Sequence, residues 1–204
     1  MTFIKTNAAL FVTVILTLIT LLVKYVNDLA LARRKDRLER VNLQLRNLYG
    51  PLYALDHATK IAWDTFDSRY RHDDRSSFDL NPLSAEENLA AVDRDAWRLW
   101  MSEVFMPFNL RMEKAIVENA DLIIENEMPT SLLQLVAHIA AYKPVIKKWQ
   151  AGDYSEHLST SVFPLNVRPY VQSSYLNLKN EQAALIRKLK GKARRYPTNF
   201  NFFV

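Results

Sequence analysis

The chain has 204 residues, 49% of them apolar and 24% charged, with a formal net charge of +5, three glycines and no cysteine. The apolar share excludes a disordered chain, and so few glycines exclude the glycine-rich phosphate loops of many α/β enzymes. Without cysteine there is neither a disulfide framework nor a thiolate-built metal site, which accords with a reducing compartment.

Residues 6–23, TNAALFVTVILTLITLLV, are 18 consecutive uncharged residues between Lys5 and Lys24. As a helix they rise about 27 Å at about 1.5 Å per residue. A hydrocarbon core is about 30 Å thick, and the two lysines can snorkel at its edges. The pattern predicts a transmembrane helix over 6–26 after a short extracytoplasmic end, 1–5. Its four threonines can return their hydroxyls to helix carbonyls, so they do not forbid the span. Two other accounts compete. A signal peptide processed at Ala30 to Ala32 would carry Lys24, Asn27 and Asp28 ahead of its cleavage site, which is unusual. A buried core helix is the less favoured account, because the run is apolar on every side. Lys24, Arg33, Arg34, Lys35, Arg37 and Arg40 follow the run, whereas Lys5 precedes it. The positive-inside bias then places the amino end outside and the remainder in the cytoplasm, as a single-pass protein of the inner membrane.

A juxtamembrane basic segment and a long helix are expected over 27–66. Leu38, Val41, Leu45, Leu48, Leu52, Leu55, Thr59, Ala62 and Phe66 recur in steps of three and four, the spacing of a coiled-coil seam. The seam keeps its phase through Gly50-Pro51, although proline lacks an amide hydrogen and clashes with the carbonyl four residues back. Two separate helices have little reason to keep phase across a break, so a bend within one helix is expected. Such a seam serves equally well within the chain or against a second copy.

Residues 67–83 lose the period and read as a loop. Helices are expected over 84–190. The first opens on the capping-box spacing of Ser84 and Glu87 and runs to Ile123 through Pro107. The next starts at Pro129 and contains Pro144, and the last runs from near Pro164 to Gly191. Residues 191–204 form a basic and aromatic tail. No strand-like alternation of useful length occurs. The expected fold is all-α: one transmembrane helix followed by a cytoplasmic bundle of about four long, proline-kinked helices.

Charge is distributed unevenly. Residues 85–130 carry ten acidic and four basic side chains, 33–40 carry five basic and two acidic, and 187–195 carry six basic and none acidic. The first basic block, Arg33, Arg34, Lys35 and Arg37 within it, lies beside the span and suits anionic lipid headgroups. The second contains Arg187, Lys188, Lys190, Lys192, Arg194 and Arg195, and Phe200, Phe202 and Phe203 follow it. It reads as a solvated end, a membrane-touching tail, or a segment docking on a partner or a second copy. One short basic run without a binding module argues against nucleic acid.

No motif commits the chain to a reaction. The four histidines form no His-x-x-x-His pair, and the Glu-x-x-His signature of bundle metal sites is missing. No catalytic, cofactor-binding or metal-ligating residue is assigned, and an enzyme is disfavoured. Glu118, Asp121 and Glu125 are spaced to share one helical face, as a solvated acidic surface or an interface. Interior prolines free carbonyls one turn back. If they meet at one level, a polar pocket or interface forms that Tyr49, Gly50, Pro51, Tyr53, His57, Trp97, Trp100, Pro107 and Asn109 would line. The composite expectation is a membrane-anchored helical interaction or scaffold module with a protein partner. The alternative is a membrane-associated small-ligand or metal-responsive sensor or enzyme, using the bundle centre or the acidic face.

Overall fold

The computed structural model describes residues 2–70 and 93–193, and among these there is no strand. Helix α1, Thr2–Leu43, leads into a π-helical turn, Gln44–Tyr49, and then α2, Gly50–Tyr70. After the undescribed residues come α3, Arg94–Trp100, a second π-turn, Met101–Phe105, and α4, Met106–Glu118. A 3₁₀ turn, Ala120–Leu122, precedes α5, Thr130–Gln150, and α6, Val167–Ala193, completes the order. One long apolar amino-terminal helix is thus accompanied by three further helical segments.

Several boundaries differ from expectation for local reasons. Helix α2 continues through Tyr70, so the first four residues of the expected loop 67–83 are helical. The second segment stops at Glu118 because Asn119 leaves helical geometry, at φ −126° and ψ 33°, before the 3₁₀ turn. Pro129 caps α5 from outside with extended geometry, φ −58° and ψ 133°. Helix α6 begins at Val167, later than Pro164, and passes Gly191 to reach Ala193. The Ser84–Glu87 capping box and most of the tail lie outside the described residues. Asp93 instead caps α3, its carboxylate accepting from the amides of Asp95 and Ala96 at 2.9 and 3.1 Å. At the end of α5, Gly152 takes φ 79°. Its amide bonds Trp149 O and that of Asp153 bonds Lys148 O, the paired hydrogen bonds of a Schellman stop.

The chain divides into two compact units, one of Met1–Asn42 with Asn180–Val204, the other of Leu43–Lys179. In the first, α1 is long and apolar enough to cross a membrane. Its side chains from Phe11 to Leu29 are all exposed. Thr17 and Thr20 return their hydroxyls to Thr13 O and Leu16 O at 2.8 Å, as the sequence leads one to expect. Farther along, Arg37 grips Glu181 of α6 with two bonds of 2.7 and 2.8 Å, and Gln182 donates to Asn42 at 2.7 Å.

The second unit holds most of the core. Leu48, Leu52, Leu55 and Phe66 of the long helix are buried, as are Met112 and Ile116 of α4, Leu132, Leu135 and Ile139 of α5, and Val171 and Leu178 of α6. The seam from Leu45 to Phe66 is buried or half-buried within this unit. Those leucines are therefore covered within one chain. Trp63, Phe66 and Tyr70 of α2 meet Trp97 and Trp100 of α3 and Phe105, with ring centroids 5.2 to 6.3 Å apart in tilted and edge-on pairs, a geometry that stabilises aromatic clusters beyond their buried area.

Candidate functional site

The two π-turns are built alike. In the first, Gly50 donates its amide to Leu45 O, five residues back, and Pro51 follows. In the second, Met106 donates to Met101 O, again five back, and Pro107 follows. A proline cannot donate to the carbonyl four residues earlier, and its ring crowds that carbonyl. Widening the preceding turn by one residue relieves the crowding while the residue before proline still finds an acceptor. At the first turn the solution needs glycine, because a Cβ on residue 50 would stand 2.2 Å from Leu45 O.

Widening also rotates the helix face. Gln44, which the heptad spacing leaves off the seam, is 2% exposed, while Leu45 is only half-buried. Gln44 Nε2 donates to Leu122 O at 2.9 Å. Tyr49 is fully buried, and its hydroxyl receives the amide hydrogen of Ile124 at 3.2 Å. The Tyr49 and Tyr170 hydroxyls are 2.9 Å apart, and Tyr170 donates to Glu125 Oε2 at 2.9 Å. With Tyr170's hydrogen committed to the carboxylate, Tyr49 is the donor between the two phenols. The chain of bonds therefore runs from the Ile124 amide through two tyrosines to Glu125. Burial raises the Tyr49 pKa above the usual phenol value, although the amide hydrogen it accepts from Ile124 pulls the other way. Burial raises Tyr170 further, and Tyr49 and Glu125 beside it add to the effect. Both phenols stay protonated at neutral pH, so the arrangement holds the segment after α4 in place and offers no phenolate nucleophile or base.

Next to it, Arg168 Nε bonds Asp56 Oδ2 at 2.9 Å, with the aspartate 3% exposed. A buried carboxylate needs such a partner, since its desolvation costs several kcal/mol in order of magnitude. Tyr53 stacks on Tyr175 of α6 with centroids 4.3 Å apart and lies 4.1 Å from the His57 ring. His57 Nδ1 donates to Tyr53 O at 2.9 Å and stands 3.9 Å from Asp56 Oδ2.

The residues proposed from sequence as one lining thus occupy three settings. Tyr49 and Tyr53, on either side of Gly50 and Pro51, meet Tyr170 and Tyr175 of α6, and His57 packs on the Tyr53 ring one turn later. Trp97 and Trp100 belong to the aromatic cluster with Phe66, and Trp97 Nε1 also donates to His157 O at 3.0 Å. Pro107 is exposed behind the second π-turn, and Asn109 is 3% exposed two residues later. Asn109 Oδ1, Gln44 Oε1 and Thr59 Oγ1 are buried acceptors with no hydrogen-bond partner. The three carboxylates expected on one helical face are separated by the end of α4: Glu118 is its last residue, Asp121 lies in the 3₁₀ turn, and Glu125 lies beyond it against Tyr170. Among the described residues no group of three or more histidine or carboxylate side chains is placed to hold a metal ion. Of the basic residues, Arg37 is paired with Glu181, Arg33, Lys35, Arg187, Lys188 and Lys190 are exposed, and Arg34 is half-buried. Lys192 falls within α6, and Arg194 and Arg195 lie outside the described residues.

Asp56, Arg168 and Tyr170 were not singled out by spacing. Asp56 directly follows the seam residue Leu55, which is the one signal that could have marked it as inward-facing. Comparison with known protein families, with curated proteins and with solved structures finds no match.

Proposed function

We propose that the chain is a membrane-tethered helical interaction module, with α1 crossing the inner membrane and the unit Leu43–Lys179 held on the cytoplasmic side to engage a protein partner. The observation that carries this reading is the uniform exposure of the apolar stretch, with Phe11 71%, Leu16 58% and Leu22 64% exposed. Soluble proteins rarely leave contiguous apolar surface of this extent in water. The basic residues after the stretch support the cytoplasmic assignment and an affinity for anionic lipids. The tyrosine chain supports an interaction role, because it ties Ile124 and Glu125, in the exposed stretch that follows the 3₁₀ turn, to the second unit.

A second reading, a sensor of a small hydrogen-bond donor, is favoured by the partnerless acceptors of Gln44 and Asn109 close to the two π-turns. Such turns recur at functional sites, and orphaned buried polar atoms call for a partner. The two readings separate on one preparation. Membranes containing the full chain, washed with alkaline carbonate, should retain it, and solubilisation should co-purify a stoichiometric partner. A chain released by carbonate contradicts the tether. Retention without a partner, combined with a thermal shift on adding a small amine or amide metabolite, favours the sensor.

A further inference from the structure

The two basic blocks, more than 140 positions apart in sequence, belong to the same unit, and the packing there sets their relation. The bidentate Arg37–Glu181 pair and the Asn42–Gln182 bond hold α6 against α1. Direction follows from burial. On α1, Ala30, Leu31, Arg34 and Leu38 are half-buried, whereas every side chain from Phe11 to Leu29 is exposed. On α6, Glu181, Gln182, Ala184, Leu185 and Leu189 are half-buried, the three-and-four spacing of a contacting face. A parallel α6 would carry Leu185 and Leu189 away from Leu31 and leave it uncovered. An antiparallel α6 covers Ala30 to Leu38 with Leu185 and Leu189 and ends its coverage where the exposed apolar stretch begins.

That register brings Arg187, Lys188 and Lys190, exposed on the outer face of α6, level with Arg33, Arg34 and Lys35 of α1. The six lie about 10 Å beyond Val26 at about 1.5 Å per residue, at the outer boundary of a headgroup layer about 5–8 Å deep and about a Debye length from its charge. Tyr25, 66% exposed at the edge of the apolar stretch, is placed as an interfacial ring. The acidic residues near the level are Asp28, Asp36, Glu39 and Glu181, and Glu181 is engaged by Arg37.

We propose that α1 and α6 together form a two-helix basic collar that binds acidic phospholipid headgroups, with the α6 residues Arg187, Lys188 and Lys190 as a required half of the site. The proposal rests on the membrane reading above and deepens it: the carboxyl-terminal charges act from a docked helix set in register by Arg37 and Glu181.

The test uses the full chain reconstituted into phosphatidylcholine vesicles bearing a trace of spin-labelled phosphatidylglycerol or spin-labelled phosphatidylcholine. Carbonate washing of the same vesicles reports the span independently, and release of the chain there defeats the membrane reading itself. With the chain retained, the wild type should hold the acidic lipid in preference, and the preference should fall as salt rises. Each lost charge near a membrane surface is worth about 1 kcal/mol, or about fivefold, so the triple R187Q/K188Q/K190Q should lower the preference by at least about fivefold, and by about a hundredfold where the three act independently. The charge-retaining R187K should keep it. Equal association of the two lipids with the wild type, a preference untouched by the triple substitution, or its loss in R187K would each overturn the proposal.

Discussion

At the scale of single residues, Gly50 decides how proline is accommodated. The Gly-Pro pair sits inside an unbroken helical backbone, and the strain of Pro51 is spread over a wider turn that ends on the Gly50 amide. Alanine at 50 would drive its Cβ against Leu45 O at 2.2 Å, and that neighbour is backbone, which cannot rotate aside. Gly50→Ala should therefore destabilise the protein by about 1–3 kcal/mol, the range for overpacking, despite alanine's better helix propensity. Urea denaturation followed by circular dichroism reads this directly. An unchanged or raised midpoint would show that the wide turn is not held there. The helical continuity was legible in the sequence from the unbroken phase of Leu45, Leu48, Leu52 and Leu55. The widening was not, because a heptad count assumes a constant 3.5-residue repeat and assigns Leu45 inward, where the π-turn puts Gln44.

At the scale of elements, the connections between helices are held by side chains that sequence periodicity leaves unassigned. The segment after α5 is tied by Trp149 Nε1 to Glu156 O at 2.6 Å, by Trp97 Nε1 to His157 O, and by His138 Nδ1 to Ser161 O at 2.7 Å. His138 also lies edge-on to Tyr142 and Phe163, with centroids 5.1 and 5.4 Å away. Burial lowers the His138 pKa despite its bond to Ser161 O, so the folded protein holds it neutral where the unfolded chain takes up a proton. Below about pH 6.5 the unfolded state then binds more protons, and stability falls as pH drops through that window toward the lowered folded value. His157 is lowered too, by burial and by Arg94 and Arg98, so it contributes with the same sign. Thermal melts of His138→Gln between pH 7 and pH 5 should show a shallower decline than the wild type, with part of the slope remaining. An identical slope would remove His138 as its source. That His138 belongs to the interior follows from its place among Leu135, Ile139 and Tyr142, whereas its carbonyl partner 23 residues away depends on tertiary packing that no local pattern encodes.

At the scale of the whole molecule, composition and layout were the most readable level. The uncharged stretch, the all-helical periodicity and the leucine seam each have a counterpart among the described residues, in α1, in the absence of strands there, and in the buried Leu48, Leu52 and Leu55. The polar groups were the least readable. Gln44, Asp56, Tyr170 and Arg168 acquire their meaning from partners 45 to 121 positions away. The protonated phenols of Tyr49 and Tyr170 and the Asp56–Arg168 pair, with its carboxylate buried, serve cohesion of the second unit. The lack of native cysteine makes its placement directly measurable, since any introduced thiol is the only one in the chain. Single cysteines at the exposed positions Ser173 and Asp153, treated with a membrane-impermeant maleimide, report the side on which the body lies. They should stay unlabelled in intact spheroplasts and label fully once the membrane is permeabilised, whereas equal labelling before and after permeabilisation would contradict a body tethered on the cytoplasmic side.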